Sequence, residues 1–143
     1  MSALGREMIE AMIPHAGAMC LLDAVLRWDA GSIHCVSFRF GAGENPMRRA
    51  VGTLGAACLI ELAAQAMAMH GRLTAGADGA PVRGYLASLR DVRLAALVGA
   101  GELVIEVERL MGDVGGASYR FTVSGEGVEL ASGRATVLFE GAA

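Results

Sequence analysis

The stretch Leu54-Gly55-Ala56-Ala57-Cys58-Leu59-Ile60-Glu61-Leu62-Ala63-Ala64-Gln65-Ala66-Met67-Ala68-Met69 decides how this chain folds. Only Gly55, Glu61 and Gln65 interrupt the apolar run. Alanine, leucine and methionine lose little freedom in a helix, and β-branched residues are nearly absent, so the stretch predicts a helix over 54–69. Apolar residues all round such a helix require other elements on every side of it. The run is shorter than the roughly 18 residues of a membrane span and contains a carboxylate. His70-Gly71 supplies an end signal, with His70 expected as a cation at the helix C-terminus.

Outward from this helix, the flanks read as strands and turns. Leu4, Met8, Ile9 and Met12 have helical spacing, so a short amphipathic helix is expected over 3–12, ended by Pro14. A loop over 13–19 leads to strands over 21–28 and 32–40, with Asp29-Ala30-Gly31 as the turn. In the second strand Ile33, Cys35 and Ser37 share a face. After an irregular glycine-bearing segment and the helix, strands follow at 85–94, 103–108, 119–124 and 134–140, the last three with strict alternation. Gly125-Glu126-Gly127 is a turn. Five or six antiparallel strands and one apolar helix satisfy each other if the sheet curls around the helix. The class is α+β, with residues 1–143 as one domain, and the pattern admits more than one such architecture.

Composition excludes several functions. Hydrophobic residues are 54% and charged residues 19%, so the chain is not disordered, and some apolar surface calls for a second copy. A net charge of −3 gives no general attraction to nucleic acid or anionic membrane. Every basic residue is arginine, scattered along the sequence with Arg48–Arg49 the one adjacent pair. Cys20, Cys35 and Cys58 form no C-x-x-C pair and read as buried thiols. With no H-E-x-x-H or Asp/His cluster, no metal or other cofactor is expected. The first ten residues carry Arg6, Glu7 and Glu10 and lack an apolar core, so a cytoplasmic protein without a signal peptide is expected.

Three segments, in order, carry a family resemblance. Ile13-Pro14-His15 running into Leu21-Leu22-Asp23-Ala24-Val25 resembles the I-P-H-R … L-L-x-D-x-V opening of the FabZ-type 3-hydroxyacyl-carrier-protein dehydratases. Leu59-Ile60-Glu61-Leu62-Ala63-Ala64-Gln65-Ala66 is similar to their central-helix pattern, and Gly84-Tyr85-Leu86-Ala87-Ser88-Leu89-Arg90-Asp91-Val92-Arg93 to their Y-L-A-S strand. The I-P-H-A-G, A-A-Q-A-M and R-D-V-R segments resemble the ApeP-like branch, which serves aryl polyene synthesis. The resemblance implies a hotdog fold and removal of water from a 3-hydroxyacyl thioester on the phosphopantetheine arm of an acyl carrier protein. It also implies a homodimer, which a trimer of dimers would extend. One departure matters. Family members carry a catalytic histidine in an H-x-F-P motif, whereas Gly43-Glu44-Asn45-Pro46-Met47 has none.

Dehydration needs a base for the C2 proton, an acid for the departing hydroxyl and donors for the thioester oxygen. Glu61 is the leading candidate, being the sole ionisable residue in 54–69; burial there would favour its neutral form. The competing reading is a structural carboxylate bonded to backbone or to Gln65, four residues on along the same face. His15, in a Pro/Gly loop, is the expected partner of Glu61, against a role in fixing that loop. His34 reads as a strand residue. Amides at the expected helix start, Gly55 and Ala56, together with Gln65, are candidates for substrate binding. Arg48 and Arg49 are candidates for a carrier's acidic surface or arm phosphate, against solvated loop charges. Met67, Met69 and Leu62 read as core, against lining an acyl tunnel. Two other functions compete: an acyl thioesterase, and a non-catalytic subunit whose paralogous dehydratase partner supplies the missing histidine.

Overall fold

The computed structural model describes residues 4–12, 21–38, 54–55, 58–74, 84–95, 97–98, 101–113 and 115–139. In chain order these form β1 (Leu4–Gly5), α1 (Arg6–Met12), β2 (Ala24–Asp29), β3 (Ser32–Ser37), β4 (Leu54–Gly55) and α2 (Leu59–Thr74). They continue with β5 (Gly84–Leu94), β6 (Leu97–Val98), β7 (Leu103–Asp113), β8 (Gly116–Gly125) and β9 (Val128–Phe139). The main sheet has seven antiparallel strands in the order β1-β2-β3-β7-β8-β9-β5, while β4 and β6 pair separately. This is the expected α+β arrangement, with more strands than the five or six read from alternation. The extra ones are two-residue pieces, too short to show a period.

Alternation decides which side of the sheet faces α2. Ala117, Tyr119, Phe121 and Val123 of β8 are buried, as are Ile33 and Cys35 of β3 and Leu103, Ile105 and Val107 of β7. On α2 the buried face is Leu59, Leu62, Ala63, Ala66, Met67 and Met69, and the helix packs on β3, β7 and β8. Each fully buried leucine contributes about 1.5–3 kcal/mol of transfer free energy, so these three strands hold the helix firmly. Burial lifts the Cys35 thiol to about 12, consistent with an inert core residue. Cys58 is half-buried, and Cys20 lies outside the described residues.

Turn chemistry sets the registers. Asp29 Oδ1 accepts from the Gly31 amide at 2.8 Å and from Ser32 Oγ at 3.1 Å, closing the β2–β3 hairpin. Glu126 (φ 53°) and Gly127 (φ 78°) are both left-handed, as a two-residue type I′ hairpin requires. That turn starts β9 at Val128, six residues before the strand expected at 134. Gly133 allows a close approach: a Cβ there would lie 3.0 Å from Phe121 and 3.1 Å from Val92.

The helices depart from expectation in three ways. Residues 4–5 extend against Val25 and Ala24 of β2, so α1 begins at Arg6. Leu54 and Gly55 pair with Val98 and Leu97, so α2 begins at Leu59 rather than at 54. Glycine is a poor helix former, and the pairing strand offers those backbone groups a partner. At the other end α2 runs past His70-Gly71 to Thr74, whose Oγ1 donates back to the His70 carbonyl at 2.8 Å. His70 is therefore no terminal cap. It is fully buried mid-helix.

Candidate active site

Glu61 stands in the first turn of α2 and is half-buried, where the sequence suggested full enclosure. One turn on, Gln65 is fully buried, and its Nε2 donates to Glu61 Oε1 at 3.3 Å. The other end of the same amide is also engaged: Gln65 Oε1 accepts from the Leu21 backbone N–H at 2.9 Å. The Leu21 carbonyl in turn accepts from buried Ser37 Oγ at 2.6 Å. Both backbone groups of Leu21 are thus held by side chains, one from α2 and one from the end of β3. A buried amide left without a partner costs about 1–3 kcal/mol, which makes Gln65 structural as well as polar.

Asp23 continues the same corner. Its backbone N–H donates to the Val36 carbonyl at 2.9 Å, and its Oδ2 accepts from the Phe38 amide at 2.6 Å. Arg6 Nη1 approaches Asp23 Oδ1 at 3.9 Å. Segments 21–23 and 36–38 therefore meet where α2 presents Glu61 and Gln65. The arrangement supplies one accessible carboxylate with a fixed amide donor, a pair able to exchange a proton while keeping the carboxylate oriented.

The other sequence candidates divide. His15, Ala56, Arg48 and Arg49 lie outside the described residues; Leu21 is the first described residue after His15's segment. Gly55 is in β4, four residues ahead of the first residue of α2, so its amide is not at the helix start. His34 lies on the outer side of β3, with Nδ1 3.2 Å from Arg27 Nη2 and 3.6 Å from Glu106 Oε1. Sequence reasoning missed Leu21 and Ser37. Ser37 had a signal, a polar residue on the apolar face of its strand; a backbone amide has none.

His70 forms a separate buried constellation. Its Nε2 donates to the Asp29 carbonyl at 2.9 Å, which leaves Nδ1 to accept from Tyr119 Oη at 3.1 Å. The rings meet edge to face, 5.6 Å between centroids. Desolvation pushes the His70 pKa below its ordinary value, and Arg109 adds to the effect against the raising hydrogen bond to Asp29. Among the described residues no group of three or more His, Cys, Asp or Glu is placed to hold a metal ion. Nor is any helix there long and apolar enough to cross a membrane.

The family model of the ApeP-like dehydratases (ApeP dehydratase) matches residues 7–141. The chain belongs to the ApeP-like family. Its structure is similar to the dehydratase heterocomplex ApeI:P from Xenorhabdus doucetiae, with a TM-score of 0.83, 25% identity, and coverage of 92% of this chain and 90% of that one. A point mutant of the thioesterase PA1618 from Pseudomonas aeruginosa shares the fold at a TM-score of 0.69 and 12% identity, covering 93% of this chain and 91% of that one. The thioesterase HI1161 from Haemophilus influenzae does so at 0.69 and 12%, covering 95% and 90%. No curated protein sequence matches. The fold is the hotdog, an antiparallel sheet wrapped around a long helix.

Proposed function

We propose that this chain removes water from a 3-hydroxyacyl thioester carried on an acyl carrier protein, giving the trans-2-enoyl thioester. The observation that carries this reading is the match to the ApeP-like dehydratase family over residues 7–141, with a half-buried Glu61 in the first turn of α2. The Gln65 contact orients that carboxylate and would equally hold a structural one. In the proposed step the C2–H bond breaks towards His15, its electron pair forms the C2=C3 bond, and the C3–O bond breaks. Glu61 delivers the proton that turns the departing hydroxyl into water. Gln65 keeps the carboxylate aimed.

The active unit in this reading contains two chains. Among the described residues strand β5 pairs with β9 alone, at the end of the main sheet. Its inward residues Leu86, Leu89 and Leu94, opposite Val137, Ala135 and Ala131, are exposed by 43%, 38% and 44%. An open edge with an apolar inner margin is the surface that pairing with a second strand removes. A homodimer, or a trimer of such dimers, satisfies it.

A second reading has one specific support. The similar structure from Xenorhabdus doucetiae is a heterocomplex, and residues 43–47 lack the family's histidine. A paralogous dehydratase subunit would then occupy the β5 edge and supply that group. The thioesterases at 12% identity share the fold alone and add nothing to a hydrolytic reading. Assay of a 3-hydroxyacyl carrier substrate with the chain alone, then with a paralogous subunit, decides. Enoyl product from the chain alone supports the first reading, product only after addition supports the second, and free thiol supports hydrolysis.

A further inference from the structure

Four of the twelve arginines, scattered in sequence, gather in space. Pairing aligns Glu108 of β7, Arg120 of β8, Arg134 of β9 and Arg90 of β5 across the sheet, on the face turned away from α2. Three arginines thus stand directly opposite one another on adjacent strands, a register that costs stability through like-charge repulsion. All three are solvent-exposed. Arg93 joins them because of a bulge. Residues three apart on a regular strand face opposite ways, but β5 carries an irregularity between Arg90 and Arg93, with Asp91 at φ 54°. Arg93 consequently sits opposite Ser132, on the same face as Arg134, while Val92 turns inward against Gly133.

Anions only partly offset the row: Asp91 and Glu108 lie against it, and exposed Glu106 ends the next row on β7, opposite Thr122. Arg134 Nε donates to Asp91 Oδ2 at 3.2 Å, and Arg120 Nη1 lies 3.7 Å from Glu108 Oε2. Among the described residues Arg90 and Arg93 have no ion-pair partner. On β5, β9 and β8 the flanking positions are low, Ser88, Thr136 and Ser118 on one side and Ser132 and Thr122 on the other, while on β7 the two rows end in Met111 and Glu106. The guanidinium groups therefore rise from a flat hydroxyl-lined surface, open to a planar, bidentate grip on carboxylates. In a chain of net charge −3, such a concentration is local and directional.

We infer that the row Arg120–Arg134–Arg90, extended by Arg93, is the landing surface for the acidic carrier protein that delivers the acyl group. This rests on the carrier-bound substrate reading above. It assigns the carrier to the outer face of β8, β9 and β5 rather than to Arg48 and Arg49. The positive charge that repulsion makes costly within the chain is offset once an acidic surface covers it.

The test measures binding of unacylated holo-carrier protein to the full-length chain across a salt series, alongside turnover. The double variant Arg90→Glu, Arg93→Glu should weaken binding at least about tenfold and flatten its salt dependence. The milder Arg90→Ser, Arg93→Ser should lose less affinity and keep or raise its melting temperature, since repulsion with Arg134 is relieved. KM for a carrier-bound 3-hydroxyacyl substrate should rise, with turnover of an N-acetylcysteamine thioester unchanged. Carrier affinity unaltered in both variants overturns the inference. So does a change in sedimentation of the chain itself without a change in carrier affinity, which would make the row a contact between copies. A parent chain that binds carrier but dehydrates neither substrate, with or without a paralogue, refutes the reaction and leaves the landing surface standing. One that dehydrates the small thioester but ignores carrier does the reverse.

Discussion

Gln65 donates from Nε2 to Glu61 Oε1 at 3.3 Å, and its opposite atom holds the Leu21 amide at 2.9 Å. One side chain therefore orients the candidate proton donor and anchors the segment entering β2. Glu61→Gln keeps the shape of the side chain and removes its acidity. We expect the fold to persist and dehydration to fall by at least about 10²-fold, the scale of a lost general acid or base. His15→Asn should lose a comparable amount. Near-normal turnover in both variants, measured by enoyl formation, refutes the proposed pair; a dead Glu61→Gln beside an active His15→Asn removes His15 alone.

Gln65→Ala separates orientation from acidity. It leaves a buried Leu21 N–H without its acceptor, so urea unfolding should show a loss of about 1–3 kcal/mol. Turnover should fall as well, because Glu61 loses the Gln65 contact that orients it. Ser37→Ala, which frees only the Leu21 carbonyl, should destabilise without a comparable loss of turnover. Equal activity effects from the two variants would argue that Gln65 acts only through Leu21.

Acid should weaken the fold through His70. Its folded pKa lies below the ordinary 6.5, so between those two values the unfolded chain binds a proton that the folded chain refuses. Stability is then complete above about pH 6.5, falls as pH drops through this window, and levels off below the folded pKa. Tyr119, raised chiefly by burial, gives the opposite slope above its ordinary 10. Urea unfolding from pH 5 to 8 should show the acid slope in the parent and a smaller one in His70→Gln. Identical slopes would remove His70 as its source.

The β5 edge makes an assembly prediction. Leu86→Asp with Leu89→Asp places charge on the inner margin that a second chain would cover, so sedimentation should shift from a dimer to a 14.7 kDa species. A parent chain that sediments at 14.7 kDa at micromolar concentration, both alone and with a paralogue, refutes two-chain pairing.

The features legible in the sequence are those with a local period or a local partner. Alternation at Leu103, Ile105 and Val107 and at Tyr119, Phe121 and Val123 marked β7 and β8 with the correct inward face. The four-residue spacing of Glu61 and Gln65 foretold their contact. Boundaries failed where distant partners decide. Leu54-Gly55 is as apolar as any helix turn, and only Leu97–Val98, far along the chain, makes it a strand. Gly71 inside α2 costs about 1 kcal/mol by propensity, and it announced an end that tertiary contacts override. Arginines spread over residues 90–134 carry no hint of adjacency until the registers are known.

The two polar contacts on α2 bear on a difficulty peculiar to helices rich in alanine. Small side chains present a smooth cylinder, and such a surface tolerates sliding and rotation with little change in buried area. Gln65 meets Leu21, and His70, five residues on, meets both Tyr119 and the Asp29 carbonyl. The spacing amounts to about 7.5 Å along the axis and well over one turn about it. Displacing the helix by one residue would break both contacts at once, leaving buried donors and acceptors stranded in a low-dielectric interior. The hydrophobic faces decide that the helix is inside; these two contacts choose its phase, and Glu61 inherits its position from that choice.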